Sequence, residues 1–476
     1  MSRSNKRQRK SARRNESDCQ NNKEQFRRDF EWLLKKASFV EFKLHGNSTY
    51  DVTQLIVQLV LWAWSSSKKV TTAFDNSNLE YRQLYGAKGA FQSYQGLARA
   101  MTKHTKELMH GLEIALHACM REAGRRWYRI GKWIPLAIDG SRATTPRTQS
   151  NERAFSAPNY GKGKTAKNRR RKKTVKRRKN ETTIQPPQLW ITLMWHMGTN
   201  TIWSWRLGPS TSSERAHVVE MVHDGHFEKN TLFVGDAGFV GYALWSKIIN
   251  AGHSFLVRAG ANVHLLTQLG YVTETIGGIV YCWPNAAMRE KLPPLKLRLV
   301  KCRLGKKKKV CMLTNVLDEK ELTPSEMVRL YELRWGVEVE FRGLKQTFDR
   351  RKLRCRNSDR AQAEMAWSLF GMAVIELFAL KQHAKRTKAD PNKISFANSL
   401  AAIRTSLQQL THRPPQIPDL SSLLKEAVID DYDRKSSKKA RYKPKRKHKP
   451  SDAGAPKVKR ATARHRTLAK QMGLSP

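Results

Sequence analysis

Two short apolar runs, each delivering an aspartate, constrain this fold more than any other feature of the chain. Residues 133–138 lead into Asp139-Gly140, and residues 231–235 lead into Asp236-Ala237-Gly238-Phe239. Short apolar runs bounded by glycine read as strands, and an acid at the end of such a run is placed where side chains leave the edge of a sheet. Around them, 189–197 and 201–207 read as a hairpin joined by Gly198-Thr199-Asn200, and 213–226 has helical spacing (Ala216, Val219, Val222, His223). Residues 242–251 are expected to be helical and 255–258 to form another strand. Three strands, a helix, a strand, a helix and a strand make an α/β layout with a mixed sheet.

The flanking chain has other periods. Phe30, Leu33, Leu34 and Ala37, then the run 55–65, then Leu108, Leu112, Leu116 and Met120 recur at helical spacing, so 23–130 is expected to be an all-helical N-terminal domain. The sheet region, 131–258, is followed by a β-rich stretch, 259–322, with strands expected at 263–265, 279–283, 296–302 and 310–313 and no long helix. A helix over 323–350 is opened by Thr323 as N-cap with Pro324 at its first position. Further helices occupy 351–430. An arm at 1–22 and a tail at 431–476 are basic and of low complexity, and both are expected to be disordered.

Charge identifies the partner. The chain of 476 residues carries a formal net charge of +50. Residues 1–28, 161–180 and 434–476 hold 10, 12 and 16 Lys and Arg against four acids (Glu16, Asp18, Glu24, Asp452), so about two-thirds of the excess sits in three segments. A folded, moderately basic body with basic appendages points to a polyanion, and mixed Lys/Arg without an amphipathic apolar face favours nucleic acid over lipid. The longest apolar stretches, 55–64 and 367–380, are interrupted by Gln58 and Glu376 and fall short of the roughly 20 residues that span a bilayer. The basic N-terminus lacks the apolar segment of a secretory signal. Six cysteines without a C-x-x-C pair argue against a zinc module and for a reducing compartment.

In so basic a chain the informative residues are acids. At about 100° per residue, Tyr331, Arg334, Glu338 and Lys345 fall on one stripe of the 323–350 helix and Arg342 joins them, whereas Glu340 points the opposite way. One carboxylate among a tyrosine and three cations is a poor core face. An Arg334–Glu338 ion pair on a solvated surface accounts for two of these residues but not for Tyr331 or Lys345.

Asp139, Asp236 and Glu338, with the Y-x2-R-x3-E-x6-K spacing around the glutamate, resemble the DDE transposases of the insertion-sequence-four (IS4-like) family. The resemblance covers about residues 130–350. It implies a ribonuclease-H-like catalytic core with a β-rich insertion before the glutamate helix, and cut-and-paste transposition by metal-dependent phosphodiester hydrolysis and strand transfer. Two Mg²⁺ ions (Mn²⁺ is the alternative) about 3.5–4 Å apart suit that reaction, since hard cations take oxygen ligands. Asp139, Asp236 and Glu338 are then the catalytic metal ligands, Asp139 bridging both ions, and the surrounding cations are expected to keep them ionised. By the same resemblance Arg334 and Lys345 engage DNA phosphates and Tyr331 the DNA backbone; Arg342, on the same stripe of the helix, is expected to contact DNA with them. Trp283 is placed to stack on a flipped base, although packing within the sheet is the commoner fate of such a tryptophan. The implied partners are double-stranded DNA with terminal inverted repeats and a target DNA, bound by a homodimer in a synaptic complex. The implied place is the cytoplasm, at the nucleoid of a prokaryotic host.

Two rivals stay open: a catalytically inactive DNA-binding protein derived from such an enzyme, and a basic RNA-binding protein. Gly161-Lys162-Gly163-Lys164-Thr165 is not a phosphate-binding loop, because Pro158 stands where the first glycine is needed and no strand leads in. The 161–180 block is expected to contact phosphates. His217, His223 and His226, spaced by six and three, do not form a metal-binding face.

Overall fold

The computed structural model describes residues 20–39, 42, 44–155, 186–269, 278–304, 308–411, 418–429 and 454–472. Most of the N-terminal arm, the 161–180 block and residues 431–453 of the tail lie outside the described residues.

Among the described residues four helices precede the sheet: α1 (20–34), α2 (Val52–Trp64), α3 (Val70–Tyr85) and α4 (Tyr94–Ala123). The chain turns into α2 at Asp51, whose side chain accepts the Gln54 amide while the Gln54 side chain returns to the Asp51 amide, a reciprocal cap for two otherwise orphaned donors. The thirty-residue α4 starts at Ser93 and buries Leu97, Met101, Leu108, Leu112, Leu116 and Cys119 along one side. Far along the chain, α11 (Ser358–His383) is apolar all round, a composition that permits burial on every side. It packs against α2, α4 and the sheet. By length and hydropathy α11 could cross a membrane, yet it is the central core helix here. Trp64 Nε1 donates to Gly371 O at 2.9 Å and Trp367 Nε1 to Thr105 Oγ1 at 2.8 Å, fastening α11 to the N-terminal helices. One apolar core therefore runs from Phe26 to Leu424.

Among the described residues ten strands form a single sheet in the order β10-β6-β7-β8-β9-β5-β4-β1-β2-β3. They are β1 (Ile134–Thr144), β2 (Gln188–His196), β3 (Thr201–Gly208), β4 (Thr231–Gly235), β5 (Ser254–Ala259), β6 (His264–Thr267), β7 (Ile279–Cys282), β8 (Leu295–Leu304), β9 (Lys308–Thr314) and β10 (Lys457–Arg460). The fold is mixed α/β. Strands β1, β2 and β3 are antiparallel, whereas β4 and β5 run parallel to β1. The β-rich stretch is no separate module: β9 pairs with β5 from Leu256↔Thr314 to Ala259↔Cys311, so its strands continue the central sheet.

Two expectations need correction. Asp139 does not end its strand. β1 runs on to Thr144, paired with β2 throughout, and what stops at the level of Asp139 is its other neighbour, β4. The tail is not wholly without fold either: β10 pairs with β6, and α14 (Ala463–Gln471) lies against a small second core with Leu269, Ile279, Tyr281 and Trp283. Composition hid this, because a few residues (Ala461, Leu468, Ala469, Met472) among many cations suffice once a sheet edge is available to dock on.

Candidate active site

The sheet register sets the two aspartates side by side. β1 and β4 are parallel with Ala137 opposite Val234, so Asp139 on β1 and Asp236 just past β4 come to the same level of the sheet, near enough to act on each other electrostatically. Asp139 Oδ1 accepts its neighbour's amide, Gly140 N, at 2.9 Å. Asp236, just past β4, accepts the Gly238 amide at 2.6 Å in a tight turn.

The glutamate arrives on a helix that is not uniform. It is built as α9 (Pro324–Leu333), a tight turn through Arg334 and Trp335, α10 (Gly336–Arg342) and a widened π turn (Gly343–Thr347). Through the tight turn the amides of Trp335, Val337 and Glu338 reach back three residues, to Glu332, Arg334 and Trp335. In the widened turn Phe348 N reaches back five, to Gly343 O at 2.8 Å. Three-residue bonds rotate the chain faster than an α-helix and five-residue bonds slower, so the single 100° stripe is only approximate. Gly336 allows α10 its approach, since a Cβ there would lie 2.1 Å from Trp195 Cη2.

Arg334 Nη2 donates to Glu338 Oε1 at 2.9 Å, with the arginine side chain only 8 % exposed and the glutamate 33 %. The guanidinium also lies over the Tyr331 ring, 5.4 Å from its centroid. Lys345 Nζ donates to Ser141 Oγ, two residues past Asp139. Arg342 goes elsewhere. It is exposed and borders a cleft on the other side of α10, which Glu340 also lines. Trp283 is likewise withdrawn: buried in the second core, with Nε1 donating to Leu292 O at 2.8 Å, it presents no open face to a base. The sheet-packing alternative describes it.

The acids act on one another. Burial pushes the Asp139 carboxyl up to about 6; the Gly140 amide and Arg334 oppose this, while Asp236 and Glu338 add to it. Burial lowers the Lys345 ammonium, as does Arg351, against the pull of Asp139. A fourth acid that sequence reading missed stands here: Glu214, at the start of α6 (Glu214–Asp224), is raised by burial and then by Asp139 and Asp236. Its carboxylate lies over Gly140, where a Cβ would meet Oε1 at 2.3 Å. The available signal was the glycine following Asp139, which leaves room for a side chain from another element. These oxygen-only donors match a hard divalent cation rather than a soft one. Among the described residues, however, no three are gathered into a ready-made ligand cluster, and Glu338 is engaged by Arg334.

The sequence model of the family described as transposase DDE domain matches residues 134–373, just over half the chain. The chain belongs to the DDE transposases. Its match runs from the start of β1 into α11 and so takes in Asp139, Asp236 and Glu338. This DDE transposase is similar to transposase InsG for insertion sequence element IS4 of Escherichia coli (strain K12), with 25 % identity over 297 residues. That match covers 60 % of this chain and 61 % of the relative, so the chain spans less than two-thirds of the relative's length. Among solved structures it is similar to piggyBac transposase in a synaptic complex with hairpin DNA, at a TM-score of 0.38 and 13 % identity, covering 85 % of this chain and 83 % of that one.

Proposed function

We propose that this protein catalyses cut-and-paste DNA transposition: divalent-metal-dependent hydrolysis of a phosphodiester at the ends of a mobile element, followed by transfer of the freed 3′ end to a target. The observation that carries the reading is the β1–β4 register, which sets Asp139 beside Asp236 within electrostatic reach of the Arg334–Glu338 pair. The order β3-β2-β1-β4-β5, antiparallel then parallel, supports reading this part of the sheet as a ribonuclease-H-like core completed by residues 323–350. In the same reading the helices of 23–130 and 351–430 are the scaffold around that core.

Asp139, Asp236 and Glu338 are the residues that would hold Mg²⁺, or Mn²⁺ in its place. Bound there, the metal activates the attacking oxygen and relieves charge on phosphorus. Arg334 fixes the Glu338 carboxylate through Nη2, and its buried Nε has no hydrogen-bond partner of its own. Lys345, steadied by Ser141, keeps a cation beside Asp139, where a phosphate in reach of the acids needs neutralising. Tyr331, half-buried against Arg334, keeps the hydroxyl as a neutral hydrogen-bonding group for the DNA backbone, its ionisation held up by burial. The basic segments 1–28, 161–180 and 434–476 hold phosphates without reading sequence, and synapsis of two ends calls for two copies of the chain.

The test uses the purified chain, Mg²⁺ and DNA carrying the element's terminal repeats. Asp139→Ala, Asp236→Ala and Glu338→Ala each abolish strand cleavage, while DNA retention at fixed salt stays within about threefold, because the phosphate contacts lie elsewhere. Normal cleavage by Glu338→Ala overturns the assignment. If the unaltered chain binds these ends but never nicks them, the inactive-derivative reading replaces this one.

A further inference from the structure

The strand that carries Asp139 and the helix that carries Glu338 meet at residues 348–355, and a buried arginine holds the joint. The widened turn closes with Phe348 N on Gly343 O and Arg350 N on Leu344 O at 2.9 Å, and Asp349 between them takes a φ of 57°. A non-glycine residue in the left-handed region costs energy and a π turn is rarely adopted, so both persist only where their surroundings hold them. Beyond the bend the chain lies along the end of β1. Thr144 N donates to Arg351 O at 3.0 Å, and Leu353 N to Thr144 O at 2.8 Å.

Arg350 turns inward from this bend and is 3 % exposed. Its three nitrogens reach three different elements. Nη1 donates to Phe348 O at the exit of the turn at 2.9 Å, Nη2 to Ala63 O near the end of α2 at 2.8 Å, and Nε to Ser368 Oγ on α11 at 2.9 Å. All three acceptors are neutral. The carboxylate buried nearby, Glu364, is committed to Arg354 Nε and to the amides of Arg354 and Cys355. Burial pulls the Arg350 guanidinium down to about 9, and Arg354 adds to this. A side chain wanted only for packing would be apolar, since a buried cation without a paired carboxylate opposes folding. What the guanidinium offers instead is a planar fork of N–H groups that bonds several oxygens in fixed directions. α2 supplies such oxygens because its last carbonyls lack helical partners. Arg404 Nε takes Trp64 O at 2.8 Å, and Arg354 Nη1 takes Ser67 O just beyond the helix at 3.1 Å.

The side chain this joint sets in place is Lys345. It is the third residue of the widened turn, and its reach to Ser141, two residues past Asp139, depends on that turn keeping its width. Were the turn to relax to four-residue bonds, it would wind faster and swing Lys345 away from Ser141. We propose that Arg350 is a positioning residue for strand cleavage, an inference that rests on the phosphate-neutralising role of Lys345. By tying the exit of the turn to α2 and α11, Arg350 keeps Lys345 aimed at the phosphate beside Asp139. The N-terminal helices then do more than enclose the core, because α2 is an anchor against which a cation of the site is set.

A double-mutant cycle on the full chain tests this, read as the single-turnover rate of terminal-repeat cleavage at saturating protein and Mg²⁺. Lys345→Met lowers the rate by removing the cation. Arg350→Lys keeps the charge but reproduces only part of the fork. It lowers the rate about tenfold or more, as misplacement in a positioning element does, with DNA retention within about threefold of the parent. In the Lys345→Met background the same Arg350→Lys change lowers the rate by no more than about twofold, because residues that act through one another are not additive. A role in stability alone gives the same factor in both backgrounds, and that result overturns the proposal, as does Arg350→Lys cutting at the parental rate. Should Arg350→Lys melt below the assay temperature, Ser368→Ala carries the same cycle, since it removes one of the three bonds and leaves the guanidinium in place. A severalfold loss that vanishes without Lys345 is then expected; no loss, or one undiminished without Lys345, overturns the proposal. Parental cleavage by Lys345→Met removes the role of Lys345 and this inference together, whereas an impaired Lys345→Met with an additive Arg350→Lys removes this inference alone.

Discussion

Replacing Gly336 with alanine tests how the glutamate is positioned, because two effects of known size oppose each other. In an unobstructed helix, glycine to alanine stabilises by about 1 kcal/mol. Here the added Cβ would lie 2.1, 2.5 and 2.9 Å from Trp195 Cη2, Cζ3 and Cζ2, where ordinary contact begins at 3.4 Å. Trp195 is buried in β2 and the ring is not the free end of a flexible chain, so relief requires α10 to lift by roughly 1 Å. Overpacking of this kind costs about 1–3 kcal/mol. The net expectation is destabilisation of about 1 kcal/mol or slightly more, a fall of about 1 °C in melting temperature for a chain of this length. The larger effect is on chemistry. Glu338 lies two residues along the same short helix, and a displacement near 1 Å in a positioning element costs on the order of a hundredfold in rate. Melting by circular dichroism and single-turnover cleavage of terminal-repeat DNA read the two effects separately. A variant that melts higher than the parent and cuts at the parental rate would refute the close packing of α10 on β2 as the device that places Glu338.

Other perturbations probe the remaining parts of the site. Arg334→Lys should lower cleavage at least tenfold while leaving DNA affinity nearly intact, because lysine cannot reproduce the fork that holds Glu338 and lies over Tyr331; parallel cleavage and binding assays decide this. Trp283→Ala should cost about 3 kcal/mol or more as a core deletion, with cleavage per folded molecule unchanged, and Trp283→Phe should recover most of the stability; loss of cleavage in a fully folded Trp283→Phe would return this residue to the DNA. Asp139→Asn should stabilise the metal-free protein. The folded carboxyl ionises near 6 against a usual 3.8, so the cost of its charge is absent below about pH 4, grows between the two values and is complete above 6, reaching at most about 3 kcal/mol. Melts in EDTA at pH 4 and pH 8 should show the gain only at the higher pH, and an equal gain at both would refute the assignment.

Much of this was legible in the sequence, for reasons specific to each element. The run 231–235 carries Leu232, Phe233 and Val234 in succession and ends in Gly235 before Asp236-Ala237-Gly238, so it had one reading; the 198–200 connection leaves no room for anything but a hairpin, closed here with Asn200 in the left-handed region. What sequence could not supply was adjacency between distant segments. Nothing in residues 259–322 says that β9 will pair with β5, nor in 454–472 that the edge of β6 is free to receive β10. The helix was misjudged for a different reason. A pattern drawn at a constant rotation per residue cannot anticipate a tight turn at Arg334 and a wide one after Gly343, and the two together carry Lys345 to Ser141 while leaving Arg342 on the rear cleft. Glu214 escaped notice because a single acid in the first turn of a helix is ordinarily a favourable charge at the positive end of its dipole.

The charge balance that first pointed to a polyanion also misled about the acids themselves. A net charge of +50 suggests carboxylates held firmly ionised, yet Asp139 is raised to about 6 and Glu214 is raised as well. Net charge is a property of the whole chain, whereas the ionisation of a carboxylate answers to the groups immediately around it, since charges further apart than about 10 Å in salt contribute little. At the site itself burial is the largest influence, four carboxylates share the space, and Arg334 is largely committed to one of them. Local chemistry therefore sets the state of the acids, and the global charge governs only the approach of DNA. If the site accepts a divalent cation as proposed, that cation displaces a proton from Asp139 and relieves repulsion among its neighbours, so metal affinity should fall steeply below about pH 6, whereas salt should weaken DNA binding at every pH. Those two dependences should be separable. Should metal affinity track salt and ignore pH between 5 and 7, the acids are already ionised and the balance of forces argued for this site is wrong.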